Sequence, residues 1–490
     1  MATTNRQRWL YAIANLGNVI PYQAVGAVIL FYYTDVKHLP AGWAAVVMAA
    51  YAFYNAFNNP ILGYISDRTR SRWGRRLPYM LFGMLPEAVF FAFLFFAPFD
   101  GRTAPVPLVI WFSVGLVLWE GLATAVSTGY YSLLPEMFRS YDERTDVAAR
   151  MNIVQTIGLL VAAALPAALA GWIGWPLMAA CFAALAAVAM YAGIPAMKGM
   201  GQDATDLEES LALLPALKAT LVNRSFVTVT VAQTMRFYAT NTLATGMLFF
   251  VKYSVKLDTA MASVALGAAF VAAGLAMWPW RTFLGRRFCA RTNLLIAYSL
   301  MAIAVVPLAF VRSFAGLVTA SAFVGVALAG LIFMGDVILA EVIDEDELRT
   351  GKRRAGMYFG MNSLITTLAS ALVAAVFGLL LPAYGYDTSL DLQPDTVGLG
   401  FRVFMTVPTA IGSLLAVLSL AFYPLHGERL ETMKAELERR RAAGLAPATS
   451  GGSGLAETAG GVAAVACGAT AGGPSVAGAG AAAARKESRP

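Results

Sequence analysis

The chain of 490 residues is 58% hydrophobic and only 13% charged, with a mean hydropathy of +0.64. Soluble globular chains carry about 25% charged residues, so this composition argues against a water-soluble enzyme or binding domain and for a bundle embedded in a lipid bilayer. The net charge of +7 does not point to nucleic acid, and no such partner is expected: the basic residues sit in short loops between apolar runs, where membrane topology accounts for them.

The N-terminal MATTNRQRW leads straight into the first apolar run without a small-residue cleavage pattern, and reads as the start of the mature protein. Twelve apolar spans follow, at about 9–33, 41–66, 77–97, 106–134, 148–171, 174–196, 224–251, 259–280, 293–311, 315–343, 355–382 and 402–425. At about 1.5 Å per residue each is long enough to cross a core of roughly 30 Å, some with tilt. They predict an all-α polytopic membrane protein with twelve transmembrane helices in two six-helix bundles. The N-terminal bundle is 1–196, a cytoplasmic central loop holding Asp203, Asp206, Glu208 and Glu209 is 197–223, and the C-terminal bundle is 224–425. Residues 426–490 form a charged helical stretch and then a Gly/Ala-rich tail read as disordered.

The loop after span 2 is the densest in charge: Arg68, Arg70, Arg72, Arg75 and Arg76 follow Asp67. It has a fainter counterpart after span 8, RTFLGRRFCAR, at the same place in the second half, the pattern of two repeats with a substrate site between them. The loops after spans 2, 4, 8 and 10 hold 15 Lys and Arg, against 6 in the loops on the other side. This bias places both termini in the cytoplasm.

Polar groups at membrane depth mark a pathway or glue helices together. Asn15, Asn18 and Tyr22 share a face of span 1; Tyr51, Asn55 and Asn58/Asn59 do so in span 2; Glu120, Thr124, Ser127 and Tyr131 form a stripe in span 4. Span 5 has Arg150 near one end, span 7 Gln233, Arg236 and Thr240, span 10 Asp336, and span 11 Asn362, Ser363, Thr366, Thr367 and Ser370. Glu120 and Arg236 both fall near the midplane, one in each half, which suggests a pair across a cavity or shared contact with a polar substrate. Arg150 and Asp336 could pair in the inner half. Glu87 follows Pro86 in span 3 and reads as a structural contact. The three cysteines and two histidines have no metal-ligand spacing and no partners for a catalytic triad, so no metal, cofactor or enzymatic activity is expected.

The loop stretch NNPILGYISDRTRSRWGRRLPY resembles that of the major facilitator superfamily, and more specifically the glycoside–pentoside–hexuronide:cation symporters, the melibiose-permease group. YYSLLPEMFRSYDERTDVAARM (130–151) and EVIDEDELRTGKRRAGMYFG (341–360) agree at matching positions. The resemblance implies alternating access, with spans 1, 4, 7 and 10 lining a cavity. It also implies an inner gate formed by Asp67, Arg68, Arg75 and Arg76. A carboxylate at the C-terminal end of a helix is unfavourable unless paired, and the arginines are its natural partners.

The sequence departs from the melibiose-permease pattern where that pattern binds sodium. Its two span-2 carboxylates are Asn55 and Asn59 here, its span-1 lysine and aspartate are Asn18 and Val19, its span-4 aspartate is Ser127 and its span-11 lysine is Thr367; the span-5 arginine is kept as Arg150. Two amides supply oxygens but no compensating charge, so the resemblance does not carry sodium coupling to this position. Protonation of Glu120 and uncoupled facilitation both stay open. The expectation is a secondary active transporter for a small organic solute, a sugar or glycoside, with H+ or Na+ as candidate coupling ions. It is expected as a monomer in a bacterial inner membrane. The alternatives are a carrier of lysophospholipid-like amphipathic lipids, because the span-1 stretch GNVIPYQAVG resembles that of the family's animal lysophospholipid carriers, and a non-transporting receptor or scaffold.

Overall fold

The computed structural model describes residues 4–442 other than 70, 75, 139–140, 198–219, 286 and 352–353. Most of the central loop and the tail from residue 443 thus lie outside the described residues. Among those described, every regular element is helical: α1 (Asn5–Phe31), α2 (Ala41–Arg68), α3 (Leu77–Phe95), α4 (Pro105–Met137), α5 (Tyr141–Ile173), α6 (Trp175–Met197), α7 (Arg224–Phe249), α8 (Ala260–Pro279), α9 (Ala290–Ala304), α10 (Phe314–Thr350), α11 (Ala355–Thr367), α12 (Ala369–Ala383), α13 (Asp395–Ala421) and α14 (Glu428–Ala442). A helix satisfies its own backbone groups, as lipid requires.

Nine of these segments are long and apolar enough to cross a membrane, or ten if the two parts of α5 count as one span. α2 and α7 fall short because each carries polar side chains along one face, Tyr51, Asn55 and Asn59 on the first, Gln233, Arg236 and Asn241 on the second.

The helix limits differ from the apolar runs where side chains supply other support. α5 starts at Tyr141 rather than near 148, because Glu143 and Asp146 are held by Arg8 at 2.8 and 2.9 Å. α10 runs on to Thr350 because Arg354 closes back on Asp346 at 2.6 Å. Span 11 is divided at Leu368. There the hydroxyls of Thr366 and Thr367 donate to the carbonyls of Asn362 and Ser363, each at 2.8 Å, a back-bonding that bends helices. Thr4 and Gln7 form a capping box at α1, and Asn223 and Ser313 cap α7 and α10.

Within the first half α1 packs on α5 and α6, and α3 on α4 and α6; within the second, α10 packs on α8 and α9, and α13 on α7 and α9. Small residues set the closest approaches. A Cβ at Gly325 of α10 would stand 2.0 Å from the carbonyl oxygen of Ala269 on α8. Gly325→Ala therefore forces two backbones apart and is expected to cost at least the about 1–3 kcal/mol typical of overpacking. A thermal-unfolding scan in detergent should show a clear fall in Tm, and an unchanged Tm would contradict this packing.

The two halves touch through α1 and α7, α2 and α12, and α5 and α8. The polar links between them cluster on the face opposite the N-terminus. Asp35, in the π-helical turn that extends α1, accepts from Lys252 and from the Tyr253 hydroxyl, with the Tyr386 hydroxyl at 3.5 Å. Arg102 pairs with Asp391 at 2.5 Å, and His38 and Thr388 exchange hydrogen bonds with each other's backbone carbonyls at 3.1 and 3.2 Å. The Asp391 carboxyl, in a loop, is held below its ordinary range by the Arg102 guanidinium.

Candidate solute site in the central cavity

Between the halves lies a cavity of about 1790 Å³. It extends to the N-terminal face, where Arg281, Phe288 and Lys434 line it; on the opposite face the Asp35 cluster joins the two halves.

The polar stripes foreseen on α1, α2 and α4 meet in its wall. Asn18, Tyr22, Asn55, Asn59, Glu120, Ser127 and Tyr131 line it from the first half; Arg236, Asp336 and Thr367 do so from the second. Glu120 is 2% exposed; its Oε2 accepts from the Tyr51 hydroxyl at 2.7 Å and its Oε1 from the Thr124 hydroxyl at 3.1 Å. The Asn58 amide donates to the Glu120 backbone carbonyl at 3.4 Å. Asn59 Nδ2 donates to the carbonyl and to Oδ1 of Asn55, each at 3.2 Å, and Asn55 Nδ2 donates to the Tyr22 hydroxyl at 3.2 Å.

Across the cavity, Arg236 stacks over Phe237 at 4.6 Å, and its buried Nε has no hydrogen-bond partner among the described residues. Gly335 leaves the room this side chain uses: a Cβ there would stand 3.4 Å from the Arg236 Cζ and 2.9 Å from Gln233 Oε1. Glu120 and Arg236 thus face one cavity from opposite walls, each with local contacts of its own rather than as an ion pair.

Three expected residues stand off the wall. Arg150 pairs with Asp146 at 3.0 Å, donates to Asn5 Oδ1 at 2.5 Å and stacks over Trp9 at 5.0 Å, so it braces the N-terminal end of α5 instead of meeting Asp336. Asn15 is fully buried and accepts from the Tyr131 hydroxyl at 2.9 Å, positioning a cavity residue rather than lining the cavity. Asn362 is buried at 8% exposure inside the second half, and its Oδ1 has no partner among the described residues. Of the gate residues, Arg75 and the side chains of Asp67 and Arg68 lie outside the described residues; the Arg76 carbonyl packs against Gly129 of α4.

Two functional candidates were misjudged or missed. Glu87 of α3, read as a structural contact, lines the cavity at 1% exposure, and its Oε2 has no hydrogen-bond partner among the described residues. A lone carboxylate in mid-span was the signal. Asn241 lines the wall from α7 and donates to the Ser370 hydroxyl of α12 at 3.0 Å; it lies five residues beyond Arg236 on the same polar helix.

Residues 10–427 match the family model described as MFS/sugar transport protein. The chain belongs to this family. Its relatives include the isoprimeverose transporter of Lactiplantibacillus pentosus, 24% identical with 89% of this chain and 92% of the relative covered. Another is the sodium-dependent lysophosphatidylcholine symporter 1 of Xenopus tropicalis, 21% identical over 85% of this chain and 87% of the relative. Among solved structures, the fold is that of a bacterial homologue of the human lysosomal transporter Spinster in an inward-facing, unoccupied conformation. The TM-score is 0.64 at 13% identity, over 86% of this chain and 97% of that one. This member of the sugar-transport family is an integral membrane protein and a secondary active transporter for a small organic solute, not an enzyme.

Proposed function

We propose that the solute is a sugar or glycoside, bound in the central cavity and moved by rocking of the N-terminal bundle, 1–196, against the C-terminal bundle, 224–425. The observation that carries this reading is the composition of the wall. Amides and hydroxyls from both halves converge on one cavity, with Glu120 on one side and Arg236 and Asp336 on the other. A neutral polyhydroxylated molecule offers donors and acceptors on every face, and such a wall can meet them while the apolar remainder excludes water. The isoprimeverose relative supports the same class.

Both termini are cytoplasmic in this reading, in a bacterial inner membrane, on the charge bias of the loops. The cavity then opens to the cytoplasm, and the Asp67–Arg76 loop closes it in the other half of the cycle. Transport is coupled to a cation, and Asn55 and Asn59 do not form a sodium seat: their amides bond each other and Tyr22, and they bring no negative charge.

The second reading, an amphipathic lipid such as a lysophospholipid, draws on the size of the cavity and on the lysophosphatidylcholine relative. A thermal-shift screen of purified protein separates the two. A glycoside at a hundred times its Kd should stabilise the protein by about 2.7 kcal/mol through mass action, and lysophosphatidylcholine should not. Stabilisation by the lysolipid alone reverses the choice.

A further inference from the structure

We propose that Glu87 and Glu120 together form a proton site in the cavity wall, and that this pair carries the coupling cation; the inference rests on the transport cycle just proposed. The packing of α3 on α4 brings the two carboxylates together. Gly83 lies against Val126, and Gly115 against Leu94, with a Cβ at either glycine 2.9 or 2.7 Å from its neighbour. This antiparallel register sets Glu87 level with Leu122, within one turn of Glu120. Phe91, one turn beyond Glu87, has its ring centroid 6.4 Å from that of Trp119, the residue next to Glu120.

Both carboxylates are almost wholly buried, at 1% and 2% exposure, and both line the cavity. Glu120 is the satisfied member, bonded by the Tyr51 and Thr124 hydroxyls. Glu87 is the unsatisfied one, with an oxygen in the protein interior to which nothing among the described residues donates. Among the described residues no Lys, Arg or His pairs with either. The ionisable groups that face them are phenols, Tyr51 and Tyr54 on α2 and Tyr22 on α1; α6, packed on the other side of α3, offers Tyr191, whose hydroxyl is given to the Leu81 carbonyl, and the outward Cys181.

Two like charges in a dry wall need a cation between them. The neighbouring polar groups decide which. The Tyr51 and Thr124 hydroxyls and the unpartnered Trp119 Nε1–H are donors. Each Glu120 oxygen already takes one of these donors, so a sodium ion would have to rearrange those bonds to gather its several oxygen ligands, whereas a proton needs only the free Glu87 oxygen. In the cycle a proton from water on one face forms an O–H bond to a Glu87 oxygen. The same bond breaks toward water on the other face after the halves rock. Glu120 stays a carboxylate, and no bond to the solute forms or breaks.

The test is an infrared pH titration of purified full-length protein, wild type, Glu87→Gln and Glu120→Gln, in H2O and D2O, with sodium chloride or choline chloride. It needs no solute, so its failure is distinct from failure of the sugar reading, which the thermal-shift screen decides. The wild type should show a carboxylic-acid C=O band that exchanges in D2O, comes and goes reversibly with pH and is indifferent to sodium. In Glu87→Gln that band should be lost, and in Glu120→Gln its midpoint should move. A band that persists unchanged from acid to alkaline pH marks a structural acid and overturns the proposal. So does a band that Glu87→Gln leaves intact, or one that sodium displaces.

Discussion

Arg236→Ala is expected to weaken solute binding by about tenfold to a hundredfold while the protein still folds and inserts. The guanidinium lines the cavity from α7, and its Nε is buried without a partner among the described residues. A hydrogen bond to a charged group contributes about 1.5–3 kcal/mol, and each 1.4 kcal/mol is tenfold in affinity. The residue makes no ion pair with Glu120, so its removal strands no buried carboxylate. What is lost is the contact with solute and the stacking on Phe237. Arg236→Lys should recover only part of the affinity, because an ammonium cannot offer the planar fork. Isothermal titration with the glycoside found in the thermal-shift screen measures this, and an affinity unchanged within about twofold would remove Arg236 from the site.

Much of this architecture could be read from the chain because two signals coincide in it. Apolar runs of membrane length alternate with short loops, and the arginines of those loops gather on one side. The stripes of α1, α2 and α4 were legible because helical spacing puts Asn18 with Tyr22, Asn55 with Asn59, and Glu120 with Ser127 and Tyr131 on common faces, and all seven line the cavity. Spacing cannot say what a face meets. Asn15 shares a face with Asn18, yet it ends against Tyr131. Arg150 was expected to look across to Asp336, but a carboxylate four residues earlier on its own helix, Asp146, takes it first. Glu87 was set aside because the implied arrangement lines the cavity with spans 1, 4, 7 and 10, which leaves out span 3. A helix at the rim still turns one face inward, and α3 turns Glu87 that way. Asp35 carried no usable signal, since its partners Lys252, Tyr253 and Tyr386 are more than 200 positions away in the chain.

That cluster carries the second large effect. Asp35→Asn should shift the protein away from the conformation closed on this face. The Asp35 side chain is 4% exposed and joins the first half to three side chains of the second. Breaking a fully buried pair costs about 3–5 kcal/mol. The Lys252 side chain is 41% exposed, and this solvation reduces the cost to about 2 kcal/mol. The cost falls only on the state in which the cluster is assembled, so the equilibrium moves by about thirtyfold. With the native cysteines replaced by serine and Ala244→Cys placed in the cavity wall, an impermeant maleimide applied from this face should react about thirtyfold faster in Asp35→Asn. Equal rates would show that the cluster does not hold the face shut.

In the proposed cycle one cavity between two six-helix halves binds a glycoside and is exposed to each face in turn. Counterflow in proteoliposomes tests it most directly: vesicles loaded with unlabelled sugar are diluted into labelled sugar with no ion gradient imposed. For a panel that includes isoprimeverose, at least one glycoside should accumulate transiently in wild-type vesicles and fail to do so with Arg236→Ala at the same concentration. If no glycoside exchanges while lysophosphatidylcholine does, the cavity has been assigned to the wrong solute; if wild type and Arg236→Ala exchange sugar equally, the site has been placed in the wrong part of the molecule.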